Sequence, residues 1–156
     1  MEEFDKRLAA AEFLTFGGPV PDSMVSLCIY ADDIDLAALT ERIGCRPTRA
    51  RRKGEKDPER PRIRPAQIGQ WILEAPKELS FPDKTAFLLQ ATVADVEVWR
   101  EIGQTHNIQL RCAVFLHSWT EGFDLSPETL GEIGNRGGRS RCLCTVRKGM
   151  RLLRRF

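Results

Sequence analysis

The sequence predicts an α+β domain in which helices cover one face of a mainly antiparallel sheet. Three observations carry that expectation. Segments that alternate apolar and polar residues are interleaved with segments whose apolar residues recur at helical spacing. Two of the helical segments, "DDIDLAALTERIG" and "LSPETLGEIGN", open on capping side chains and close on glycine or asparagine. The resulting order is β-α-β-β-α-β followed by α-β, behind an N-terminal helix.

Each element follows from its own residues. In "EEFDKRLAAAEFL", Phe4, Leu8 and Ala11 fall near one helical face with Leu14 close by, which suits a short amphipathic helix. "GGPVPD" ends it, so residues 1–23 read as helix and linker ahead of a single domain over 24–147. Met24 to Tyr30 alternates as a strand, with Val25, Leu27 and Ile29 on the core face. "DDIDLAALTERIG" supplies Asp caps, a stripe of Leu36, Leu39 and Ile43, and Gly44 as the stop. A short strand is expected over Arg49 to Lys53, turning at Gly54. A second runs from Gln67 to Ala75, with Trp71 and Leu73 on one face and Ile68 and Ile72 on the other, and the two form a hairpin with a long loop.

Thr85 to His106 reads as one helix whose weak point is Thr92. "NIQLRCAVFLHS" sets Ile108, Leu110, Cys112, Val114 and Leu116 on one face of a half-buried strand. "LSPETLGEIGN" starts a helix on Ser126 with Pro127 at its first position, packs Leu130 and Ile133, and stops by Gly134 or Asn135. "RCLCTVR" is the last strand, and residues 148–156 form a basic tail. This central order is the split βαβ arrangement of ferredoxin-like sheets. No repeat of fixed period and no low-complexity segment interrupts it.

At 156 residues the chain suits one core, and 42% hydrophobic with 29% charged residues is ordinary for a globular protein. Its N-terminus is acidic and has no basic n-region, so no secretory signal is read there. Apolar runs fall well short of the roughly 20 residues a membrane helix needs. A cytoplasmic location without membrane insertion is expected. Five cysteines, an odd set without an export signal, are expected to stay reduced.

The net charge of +2 conceals two basic segments on an acidic body. Arg46 to Pro65 holds nine Lys or Arg residues against three acids, and Arg136 to Phe156 holds eight and no acid. Four prolines, Pro47, Pro58, Pro61 and Pro65, exclude a continuous helix or central strand from the first. Such segments imply either a surface for an anionic partner or charge complementarity within the chain.

The string "DIDLAALTERIGCRPTRARRKGE", followed by "GQWIL" and then "GFDLSPETLGEIGNRGG", resembles an uncharacterised bacterial family called domain of unknown function 4279. The matching features are the acidic helix start, "LT..IG..PT", the "KGE" turn, the lone strand Trp71, and "LSPETL" leading to a Gly-rich turn and a final strand. They span roughly Met24 to Arg147. The resemblance implies a small α+β domain and brings no catalytic residues. It makes "RPT" through "KGE" framework and "KDPERPRIRP" a variable loop, while the basic tail departs from the family's aromatic strand end.

Candidate chemistry is sparse. Cys112, Cys142 and Cys144 share a strand face with Val114, Leu116 and Val146, where cysteine serves as a small hydrophobe, and no paired C-x₂₋₄-C knuckle suggests zinc. Cys45 stands beside Arg46, whose charge favours thiolate, with His117 as the conceivable base. Asp32 and Asp33 read as helix caps rather than as paired acids. "GNRGGRSR" offers a phosphate cradle with Arg136 or Arg139, but it follows a helix, whose C-terminal dipole repels anions, so a plain turn is favoured. P-loop, dinucleotide and zinc-protease motifs do not occur.

The expectation is therefore a non-enzymatic binding domain without metal or cofactor. Its charged surface would dock a protein with an acidic face, a toxin-neutralising immunity protein being one such role. The residues assigned to that surface are Arg49, Arg51, Arg52, Lys53, Arg60, Arg62, Arg64, Arg151, Arg154 and Arg155. The alternative is an RNA or DNA binder using the same loop and tail, although no aromatic residue interleaves the loop for base stacking.

Overall fold

Alternation across ten residues makes β1, Asp22–Ala31, the middle of the sheet. Val25, Leu27, Ile29 and Ala31 are buried, and antiparallel partners flank them on both sides: β3, Gly69–Glu74, and β4, Asn107–Leu116. The computed structural model describes residue 20, residues 22–116 and 122–137, and the backbone of residues 139–146. Strand β2, Arg49–Arg51, pairs antiparallel with β3, and β5, Arg139–Val146, lies parallel to β4. The order β2-β3-β1-β4-β5 inserts β3 between β1 and β2, so the first βαβ unit is split. The expected α+β class and the mainly antiparallel sheet both hold. The expected N-terminal helix and the basic tail lie outside the described residues.

Four helices are described, and each begins where a side chain can cap it. In α1, Leu36–Ile43, Asp35 accepts from the amides of Ala37 and Ala38 at 3.1 and 3.0 Å, and Gly44 ends it at φ 84°. Ser80 caps α2, Phe81–Ala91, and Ser126 caps α4, Pro127–Asn135, each with proline in the first turn. Between them, α3 spans Val96–Thr105 behind Asp95.

The single helix expected over Thr85 to His106 is thus two. Ser80 with Pro82 starts α2 four residues earlier than the apolar spacing indicated. It then ends at Ala91, where Thr92 takes an extended backbone and its hydroxyl donates to the Leu88 carbonyl at 2.9 Å. That bond occupies a carbonyl at the end of the helix.

Leu39 and Ile43 of α1, Phe81 and Leu88 of α2, and Trp99 and Ile102 of α3 bury against one sheet face. From the sheet come Trp71, Leu73, Ile108, Leu110, Cys112 and Val114. Both buried indoles find acceptors, Trp71 Nε1 at Thr40 Oγ1 (3.1 Å) and Trp99 Nε1 at the Val93 carbonyl (2.8 Å). Lys84 of α2 is buried here and donates to Ser23 on β1, to its carbonyl at 2.7 Å and its hydroxyl at 3.1 Å.

Gly69 starts β3 where the chain passes closest to the β1–α1 turn. A Cβ there would stand 2.3 Å from Ile34 Cγ2 and 2.7 Å from the Ala31 carbonyl oxygen. The backbone oxygen has no cheap way to yield. Gly69→Ala is expected to lower the urea midpoint by the equivalent of about 1–3 kcal/mol with the slope unchanged, and an unaltered midpoint would contradict this close approach.

Candidate functional site

The connection between β2 and β3 is long, but its backbone is paired at several points. The Gly54 amide donates to the Ala66 carbonyl at 2.7 Å, and the Ala66 amide donates to Glu55 at 2.9 Å. These bonds close the base of the loop. Above them stand two successive four-residue turns, each with proline in its second position. Asp57-Pro58-Glu59-Arg60 is closed by the Arg60 amide on the Asp57 carbonyl at 3.2 Å, and Arg60-Pro61-Arg62-Ile63 by the Ile63 amide on the Arg60 carbonyl at 2.9 Å. Proline presets φ at that position, and Asp57 Oδ1 also accepts from the Glu59 amide at 3.0 Å. Prolines that exclude regular structure here specify a defined irregular one.

The loop is also tied to the sheet. Arg51 is the register partner of Gln70, and the Gln70 amide oxygen, oriented by its hydrogen bonds, accepts from Arg51 Nε at 2.8 Å and Nη2 at 2.7 Å. Its remaining nitrogen, Nη1, is 3.7 Å from Asp57 Oδ2 in an ion pair whose side chains are only 19% and 14% exposed. That nitrogen is shielded from water and makes no hydrogen bond among the described residues, so the Asp57 carboxylate compensates it by charge.

The loop cations assigned from sequence therefore divide. Arg49 pairs with Glu74 on β3, Arg51 with Gln70 and Asp57, and Lys53 with Asp32 at the β1–α1 turn. Arg52, Arg60, Arg62 and Arg64 are exposed, and their side chains make no hydrogen bond or ion pair among the described residues. Arg151, Arg154 and Arg155 lie outside those residues. The sequence reading missed Asp57, the tie that shapes the loop, and Ile63, 47% exposed at the end of the second turn. The D-P-E-R and R-P-R-I spacings were the available signal, since Asp at the first position and Pro at the second favour such turns.

Other candidate chemistry takes structural roles. Arg136 is buried rather than open to a phosphate: Nη2 donates to the Leu89 carbonyl at 3.1 Å, Nη1 to the Glu132 carbonyl at 3.2 Å, and the guanidinium lies 5.8 Å from the Trp99 ring centre. It joins the ends of α2 and α4. Register sets Cys142 opposite Cys112 and Cys144 opposite Val114, the side chains of β5 lying outside the description. Among the described residues no three His, Cys, Asp or Glu side chains gather as a metal-binding group. A shallow polar cleft of about 430 Å³ beside His106 and Gly137 has the His106 ring turned to Thr105 and the Ile102 carbonyl. Among the described residues no helix is long and apolar enough to cross a membrane.

The chain belongs to the family described as Domain of unknown function (DUF4279), which residues 21–142 match. The matched span takes in β1 to β4, the four described helices and the whole β2–β3 loop, and ends within β5. No curated protein and no solved structure matches the chain.

Cys45 differs from the nucleophile considered from sequence. Its half-buried side chain is desolvated, which pushes the thiol above its ordinary value despite the neighbouring Arg46. His117 lies outside the described residues. Less thiolate at neutral pH means slow alkylation: mass mapping with iodoacetamide should show Cys45 reacting more slowly than free cysteine at pH 7.5 and accelerating only above the ordinary thiol range. Faster reaction than free cysteine would contradict the assignment.

Proposed function

We propose that this chain is a non-enzymatic binding domain that docks an acidic protein surface through the loop between β2 and β3, the role of a toxin-neutralising immunity protein being one that fits. The observation that carries the reading is the division of the loop cations. Three are paired with side chains of the same chain, whereas Arg52, Arg60, Arg62 and Arg64 stand exposed and, among the described residues, unpaired on a loop shaped by its own backbone bonds. Exposed guanidiniums of one sign steer an oppositely charged partner and raise its on-rate. A preordered loop forfeits little conformational entropy on docking.

The test is a pull-down from the lysate of the source organism, with and without nuclease. Wild type is compared with a variant carrying Arg52, Arg60, Arg62 and Arg64 as Ser, in which the internal pairs of Arg49, Arg51 and Lys53 are untouched. The expected result is one acidic protein retained in stoichiometric amount after nuclease, lost from the variant and weakened as salt is raised. Recovery of nucleic acid alone, absent from the variant, would overturn the reading in favour of a polyanion-binding loop.

A further inference from the structure

An isolated exposed isoleucine is ordinary on a protein surface. Ile63 is not isolated in its setting. It closes the second turn, its amide is held by the Arg60 carbonyl at 2.9 Å, and unpaired arginines stand on either side of it in the chain, Arg62 and Arg64, with Arg60 three residues earlier. Its side chain, 47% exposed, therefore stands between charged neighbours in the chain. Protein interfaces place apolar anchors at their centre and charges at the rim, the anchors governing the off-rate and the rim charges the on-rate.

Asp57 has no such outward role. It is one of three acids that reduce the loop's charge, yet its side chain is shielded, accepts from the Glu59 amide through Oδ1 and faces the Arg51 guanidinium as an ion pair at 3.7 Å through Oδ2. A loop selected only for positive charge gains nothing from it. A loop selected for shape does, because Asp57 connects the first turn to β2.

We infer that the partner presents an apolar pocket rimmed by carboxylates. The pocket takes Ile63, the rim pairs with Arg60, Arg62 and Arg64, and Asp57 is a positioning residue that keeps the tip in its docking shape. This rests on the reading of the loop as the docking surface for an acidic protein. Two substitutions separate its parts. Ile63→Ser removes the anchor and leaves every charge. Asp57→Asn removes the tie to Arg51, keeps an oxygen for the Glu59 amide, and makes the loop more positive. Attraction by charge alone predicts tighter binding for Asp57→Asn, whereas positioning predicts weaker.

The experiment pans a random-peptide phage library on the immobilised full chain in four forms: wild type, Ile63→Ser, Asp57→Asn, and the variant with Arg60, Arg62 and Arg64 as Ser. All substituted side chains except Asp57 are exposed, and thermal melts report whether each form is folded. Wild type is expected to enrich peptides combining Asp or Glu with a large apolar residue. A synthetic peptide of that consensus should bind Ile63→Ser at least about tenfold more weakly with the same salt slope, a loss of about 1.4 kcal/mol. It should lose most of its salt dependence on the arginine variant and bind Asp57→Asn more weakly despite the added positive charge. Acidic peptides without apolar preference, bound equally by Ile63→Ser, would overturn the pocket while leaving an acidic partner. No acidic enrichment on wild type would overturn both, and tighter binding by Asp57→Asn would overturn the positioning role.

Discussion

The apolar alternation of β1, interrupted by buried Cys28 on the opposite face, is the constraint on which the rest of the structure depends. Because Val25, Leu27, Ile29 and Ala31 all bury on one face, three helices must gather there, and the chain must leave and re-enter the sheet on that side. A one-residue slip of β1 against β3 or β4 would turn this apolar set to solvent, so register and layering are specified together. The antiparallel return through β3 then pushes β2 to the edge. The β2–β3 connection consequently projects from the margin of the sheet, where it can be long without crossing the core.

That placement links the fold to the proposed docking. The loop's ends are fixed by the edge strand β2 and its neighbour β3, its base by the Gly54, Glu55 and Ala66 backbone bonds, and its first turn by the Arg51 guanidinium facing Asp57. The surface ion pairs of Arg49 with Glu74 and Lys53 with Asp32 add little stability, each on the order of 0–1 kcal/mol. Their consequence is instead to neutralise Arg49 and Lys53, which leaves Arg52 at the loop's base and Arg60, Arg62 and Arg64 further along it as the unpaired cations. The same economy appears at Arg136, whose charge satisfies helix-end carbonyls beneath the surface.

Much of the fold was legible because it rests on local patterns. Leu39 and Ile43, the Ser126 cap, the Gly44 stop and the alternation from Ile108 to Val114 each act within a few residues, and each stands where the sequence puts it, whereas the cap of α1 is Asp35 and not Asp32 or Asp33. The split of the long helix was less legible, since apolar spacing continues through Thr92 while a capping bond to Leu88 and the extended backbone end α2 there. The Lys84 contact with Ser23 was illegible, being a meeting of residues 61 apart in the chain. The loop illustrates the same limit. Its prolines declared that no strand or helix passes through, but the sorting of arginines into paired and unpaired depends on Glu74, Asp57 and Asp32, which only the folded sheet brings near.

The central claim is that the loop holds its shape before any partner arrives, and backbone relaxation of the free protein tests it most directly. Amides of Gly54, Arg60, Ile63 and Ala66 should give order parameters near the rigid value of about 0.85, like those of β3, with slow hydrogen exchange at Gly54 and Ala66. Order parameters below about 0.6 across Asp57 to Arg64 in the free chain would contradict the account, because a loop that averages over many shapes cannot present Ile63 and its arginines as one surface.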